Sequence, residues 1–283
     1  MYHRRLAGAK PPVYAESVRS SSTRLTCAAA LIVVALAARV AYGQCSTDTR
    51  DATTEVDNAP YDGRFTFCRL AYTTAPGGYY YYRLPAWAHG YPVAERSLMK
   101  ILEGLTDIAK PHMDKTNVVA IGDPQMFNYP ISYMTEAGWM TVTDTEARAL
   151  HDYLLKGGFI IFDDFRPDFQ RGNDGWRNFV EVMRRVMPEG KLMEVDGKNP
   201  IFHSFFEIPD PHNFVSCYDR GGPPEFWGMF ENNDPAKRLM FIANFNNDIA
   251  QYWEWSDTGF TPIDLSNDAY KFGVNYIMYG LTH

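Results

Sequence analysis

The sequence predicts an α/β protein built on a doubly wound, mainly parallel sheet. Two observations carry this. Short apolar runs bounded by turn residues, Val118-Val119-Ala120-Ile121, Phe159-Ile160-Ile161-Phe162 and Leu239-Met240-Phe241-Ile242-Ala243, have the composition of strands buried on both faces. Segments with apolar residues at helical spacing alternate with them, and that alternation favours parallel strands covered on both sides. A hydrophobic content of 46% in 283 residues allows a large core. The net charge of −7 keeps the chain soluble and argues against a nucleic-acid partner, whose phosphates require a basic surface.

Residues 1–43 have the layout of an export signal. Arg4, Arg5, Lys10, Arg19 and Arg24 precede an apolar run from Cys27 to Ala38, followed by Ala41-Tyr42-Gly43. The run is shorter than the roughly 20 residues that a membrane span needs. The expected outcome is an exported protein, periplasmic or secreted, or one anchored by an uncleaved N-terminal segment. Cleavage after Gly43 leaves Cys45, Cys68 and Cys217. That odd number permits one disulfide in an oxidising compartment without specifying which pair, and the spacing matches no metal-binding pattern.

Residues 44–62 are polar and aperiodic, as a linker would be, and 63–283 form the folded domain. The first strand is expected over Phe65–Tyr72. A loop rich in Gly and Tyr follows, Pro76 to Trp87, whose tyrosines either stack on a ring-shaped ligand or fold back over the domain. Pro92 opens a helix bearing Leu98, Ile101, Leu102 and Leu105. Further extended pieces are expected at Val118–Ile121 and Ile131–Thr135. Thr143 with Glu146 is a capping box, and Gly157 suits the left-handed position after that helix. The strand Phe159–Phe162 then delivers Asp163 and Asp164. An amphipathic helix carries Trp176, Phe179, Val180, Met183 and Met187. Extended segments at Leu192–Val195 and Ile201–Ile208 precede the Leu239–Ala243 strand, and Ser266 caps the last helix. The order of elements suggests a flavodoxin-like domain.

In open α/β sheets ligands gather outside the carboxyl ends of the strands. Asp164 and Asp123 end two predicted strands, and His203 lies in a later extended segment. These three are the candidate catalytic residues, and equally the candidate ligands of a divalent metal. Asp163, Arg166 and Tyr133 are candidate ligand-binding residues, with Arg166 the local counter-charge for the aspartates. Adjacent residues of a strand face opposite ways, so at most one of Asp163 and Asp164 need face a pocket. The plainer alternative is that these aspartates satisfy loop amides and helix N-termini. Glu95 at the start of its helix favours the helix dipole, a structural role. His89 lies in a loop where it lines the pocket or holds the turn. No phosphate-binding loop and no G-x-S-x-G elbow occurs. No motif demands a cofactor.

From Phe65 onward the chain resembles domain-of-unknown-function family 4159, grouped with class I glutamine-amidotransferase-like proteins. The matching pieces are FTFCRLAY, HGYPVAERSLMKIL, GDPQMFNYPISYMT, YLLKGGFIIFDDF, MRRVMP, NPIFHSFF and GVNYIMYGL. The turn after Tyr133-Met134-Thr135 departs from the family pattern and is Glu136-Ala137-Gly138 here. The resemblance implies an exported or membrane-attached protein with the amidotransferase-like sheet. Glutaminases of that fold need a Cys at a nucleophile elbow and a distant His-Glu pair, neither of which is recognisable here. The resemblance therefore implies a domain without glutaminase chemistry, serving as a ligand-binding or assembly component of the cell envelope. The alternative is a metal-assisted or acid–base hydrolase acting on a carbohydrate or related envelope substrate; a third is a structural module docking on a partner. A small-molecule or glycan ligand and an envelope protein are the expected partners.

Overall fold

The computed structural model describes residues 58–80, 83–108, 112, 116–167, 174–217 and 222–283, all within the compact unit Gln44–His283. The leader expected over 1–43, most of the 44–62 linker, Cys45, Tyr81 and Tyr82 lie outside the described residues. Among the described residues no helix is long and apolar enough to cross a membrane.

The strands are β1 (Cys68–Ala71), β2 (Thr73–Thr74), β3 (Asn117–Ala120), β4 (Ile131–Thr135), β5 (Met140–Thr141), β6 (Phe159–Phe165), β7 (Met193–Glu194), β8 (Glu225–Phe230) and β9 (Leu239–Phe245). The helices are α1 (Val93–Leu105), α2 (Asp144–Leu155), α3 (Gly175–Val186), α4 (Ile249–Glu254) and α5 (Ile263–Thr282). Seven strands form one sheet in the order β3-β1-β4-β6-β9-β8-β7. The first five in that order pair in parallel, and β8 joins β9 and β7 antiparallel. The protein is thus α/β with a mostly parallel sheet.

The central strands are apolar on both faces because both faces are covered. Tyr133 and Ile161 belong to the core that packs under α1, α4 and α5, with Leu98, Leu102, Trp253 and Tyr276. Met134, Ile160 and Phe162 face the opposite core with Leu150, Leu154, Phe179 and Met183 of α2 and α3. The α2 start is the capping box expected from Thr143 and Glu146. Its end turns at Gly157, whose φ of 104° places it in the left-handed region where a side chain is disfavoured.

Three local expectations are corrected, and one strand is additional. Strand β6 continues past Phe162 to Phe165, so both aspartates are strand residues. Residues Ile201–Ile208 are not extended: Pro200–Phe202 form a single 3-10 turn, because Asn199 accepts from the Ile201 amide and Pro200 occupies the first position of the turn. Helix α5 begins at Ile263 after Pro262, and Ser266 is a buried helix residue bonded to the Thr261 hydroxyl rather than a cap. Strand β8 has no clean alternation in sequence and owes its conformation to pairing with β9.

Candidate functional site

The carboxyl ends of β4 and β6 lie side by side, since the register sets Thr135 opposite Asp163. The next residue on each strand is therefore a neighbour of the other: Glu136 beside Asp164. Both are fully buried, and both have left-handed backbones, with φ of 48° and 61°. Such a conformation in a residue with a β-carbon is held only by its surroundings. The Glu136 amide donates to the Asp163 carbonyl at 3.0 Å, and the Tyr72 hydroxyl donates to the Glu136 carbonyl at 2.7 Å. On β6 the register with β9 shifts between Phe162 and Phe165, a bulge that turns Asp164 out of the regular pleat.

The third member, His89, comes from the loop before α1. That loop is fixed by Arg69 of β1, a guanidinium buried entirely in the core. Its Nη1 donates to the carbonyls of Trp87 and His89 at 2.8 and 2.6 Å, and its Nε donates to Glu95 Oε1 at 2.5 Å. The Tyr133 ring lies 5.1 Å from the guanidinium carbon, a cation–π contact. Glu95 is thus more than a helix-dipole residue: it neutralises the cation that places His89.

His89 Nδ1 lies 2.9 Å from Asp164 Oδ2 and 3.3 Å from Glu136 Oε1. The Tyr80 hydroxyl donates to Glu136 Oε1, and its ring lies over the imidazole with centroids 5.5 Å apart. The tyrosine-rich loop therefore folds back, at Tyr80, onto the centre. Among the described residues, His89, Glu136 and Asp164 are the one group of His, Cys, Asp and Glu whose ligand atoms all lie within 4.8 Å of one another. His89 Nε2 and Glu136 Oε2 are buried without a hydrogen-bond partner.

Electrostatics follow from burial. Desolvation and the Asp164 charge push the Glu136 carboxyl up to about 7, against the hydrogen bond from His89. Burial alone would lower the imidazole, but its bonds to Asp164 and Glu136 outweigh that and hold His89 well above its ordinary value. Asp248 caps α4 through the Gln251 amide at 2.9 Å, and burial with the Asp164 charge raises it well above the usual carboxylate range. Glu136 and Asp248 are thus both pushed toward holding their protons, and the Asp164 charge contributes to each shift.

The residues expected to act take separate places. Asp163 and Asp164 diverge, Asp163 toward the start of α4 and Asp164 toward His89. Asp163 accepts from the Ile249 and Ala250 amides at 3.3 and 3.0 Å, from Asn244 Nδ2 at 2.9 Å and from the Tyr133 hydroxyl at 3.1 Å. It anchors the start of α4, and burial offset by these donors leaves it at about 6. Tyr133 is buried and engaged with Asp163 and Arg69. Asp123 accepts from the Gln125 amide at 2.8 Å and caps the 3-10 turn Pro124–Asn128. His203 follows the Pro200–Phe202 turn, with Nδ1 2.7 Å from Glu207 Oε2 and Nε2 donating to the Gly197 carbonyl at 2.9 Å. The structure thus brings Asp164 together with His89 and Glu136, while Asp123 and His203 are engaged elsewhere. Arg166 is half-buried just beyond Asp164.

A family model described as Domain of unknown function (DUF4159) matches residues 67–281, most of the chain. The chain belongs to the DUF4159 family. A comparison with curated proteins gives no match. The matched DUF4159 region contains all three residues of the centre and every strand of the sheet. Its described cysteines stand apart from the centre. Cys68 opens β1, buried and unreactive, with its thiol pushed up to about 12 by burial. Cys217 is disulfide-bonded, its partner lying outside the described residues. Chemically, the centre offers an imidazole and carboxylates for binding a cation, or for moving a proton at Glu136.

Proposed function

We propose that this chain is an exported, amidotransferase-like domain without glutaminase chemistry, serving the cell envelope by binding a ligand at the strand-end centre. The observation that carries this reading is the composition of that centre: His89, Glu136 and Asp164 converge where ligands of open α/β sheets bind, with no described cysteine among them. A thiol nucleophile is what an amidotransferase of this fold requires. The basic and apolar leader and the disulfide at Cys217 support export. A small molecule or glycan is the ligand class considered, with an envelope protein as a further partner.

The test has two arms. Purified protein incubated with glutamine is expected to release no ammonia above a heat-inactivated control; hydrolysis abolished by His89→Ala would overturn the reading. A tagged chain, fractionated from its host, is expected outside the cytoplasm; a soluble cytoplasmic pool alone would remove the envelope role.

A second reading, an acid–base or metal-assisted hydrolase acting on a carbohydrate or related envelope substrate, is favoured by one observation. Glu136 is held near the pKa that general acid–base work at neutral pH requires. Turnover of a chromogenic glycoside or ester, lost in Glu136→Gln, would establish it.

A further inference from the structure

We propose that His89, Glu136 and Asp164 hold a divalent transition-metal cation, bound through the imidazole Nδ1 and one oxygen of each carboxylate. The inference rests on the ligand-binding reading of the strand-end centre and names what that centre binds.

Four observations lead there. The first is spacing: Nδ1 stands 2.9 and 3.3 Å from the two carboxylate oxygens. Donors about 2.0 to 2.2 Å from a common ion stand about 2.8 to 3.1 Å from one another across an octahedral edge and about 3.3 to 3.6 Å across a tetrahedral one, so these separations suit shared coordination. The second is an unpartnered acceptor. Glu136 Oε2 is buried without a hydrogen-bond donor, on a side chain 1% exposed. A carboxylate oxygen removed from water needs a proton, a donor or a cation, and a cation on the neighbouring Oε1 neutralises the same carboxylate, which lowers the cost of leaving Oε2 without a donor. The third is charge. Two buried carboxylates stand beside one imidazole, and a divalent ion balances their charge without taking protons from solvent.

The fourth observation is the support around the group. Tyr80 donates to Glu136 Oε1, Arg69 clamps the His89 carbonyl, and the Tyr72 hydroxyl fixes the Glu136 backbone. Such outer contacts orient metal ligands and hold their rotamers. The donor set selects among ions. One nitrogen and two carboxylate oxygens suit zinc, manganese or iron(II), whereas magnesium prefers oxygen alone. Metal binding here displaces protons from His89 and Glu136 and so weakens on acidification.

The experiment uses the full-length chain, stripped with chelator, dialysed, and titrated calorimetrically with zinc, manganese or magnesium alone. Zinc or manganese is expected to bind at a single site, with magnesium weaker. Cobalt substitution is expected to give a visible absorption band. Glu136→Gln and Asp164→Asn should weaken binding more than 10-fold, and Tyr80→Phe, which keeps the ring over His89, by about 10-fold. Asp123→Asn and His203→Ala should bind as the native chain does. Circular dichroism establishes which variants fold, and Tyr80→Phe keeps the test open if a ligand variant does not. No binding of zinc or manganese by the folded native chain overturns the proposal, as does undiminished binding in folded Glu136→Gln and Asp164→Asn. A chain that binds no metal and hydrolyses no glutamine leaves the ligand-binding reading standing, whereas glutaminase activity removes that reading whatever the metal result.

Discussion

His89 and Asp164 lie 75 positions apart in the chain, yet the imidazole Nδ1 stands 2.9 Å from the aspartate oxygen in a buried site. Removing the imidazole takes a close partner from two buried carboxylates. In chelator, His89→Ala is therefore expected to cost about 3–5 kcal/mol of unfolding free energy, the scale for breaking a buried charged pair. His89→Gln, which keeps a donor, should cost less. Urea denaturation measures both, and a loss in His89→Ala below about 0.5 kcal/mol, the range of an ordinary surface change, would contradict the pairing.

The pH dependence of the metal-free chain has a definite sign. Asp163 at about 6 and Glu136 at about 7 are raised in the folded state, so folding takes up protons where the unfolded carboxylates have lost theirs. The stability this contributes is present at low pH and is lost as pH rises from near 4 through 7. His89, also raised, contributes stability below its ordinary value that is lost at higher pH, in the same direction. Thermal melts in chelator should therefore show Tm falling between pH 5 and pH 8. Glu136→Gln should flatten the upper part of that fall. A Tm that rises through this interval would refute the assignment.

Arg69 and Glu95 form a buried pair at 2.5 Å. Arg69→Met alone strands the Glu95 carboxylate and is expected to cost about 3–5 kcal/mol, while Arg69→Met with Glu95→Leu should recover much of it. Since Arg69 also clamps the carbonyls of Trp87 and His89, the double variant should be stable yet weakened in zinc binding. A double-mutant cycle by chemical denaturation with calorimetry separates the two effects. Strictly additive stability losses would sink the pairing.

At Gly158 a β-carbon would come 2.4 Å from the Tyr153 ring, closer than any real contact. Tyr153 cannot move freely, because its hydroxyl donates to the Tyr129 carbonyl and meets Ser132. Gly158→Ala should destabilise by about 1–3 kcal/mol, the range for overpacking. Gly158→Ala with Tyr153→Leu should recover part of that loss, and denaturation midpoints equal in native and Gly158→Ala proteins would contradict the packing.

What the sequence disclosed was mostly local. The capping box at Thr143 and Glu146, the turn at Gly157 and the buried strands announce themselves within a few residues. Asp164 was visible because it ends an apolar run. Glu136 was not, and His89 was visible only as a loop residue that lines the pocket or holds the turn, because their roles depend on β4–β6 register and on a clamp reaching from β1. One signal did exist. Glu136 follows the predicted strand Ile131–Thr135, as Asp163 and Asp164 follow Phe159–Phe162, and parallel neighbours align their carboxyl ends. Arg69 gave no such warning, since an arginine in an alternating strand suggests a solvated face, and only the fold reveals it as a core residue. Asp123 and His203 carried a residue type suited to the chemistry but fall where local caps and turns absorb them.

The most direct measurement is anomalous diffraction at the zinc edge from crystals of zinc-loaded protein. The account predicts a single strong peak about 2.0 to 2.2 Å from His89 Nδ1 and from one oxygen each of Glu136 and Asp164. Its absence from that centre in well-ordered crystals, or a peak at Asp123 or His203 instead, would contradict it.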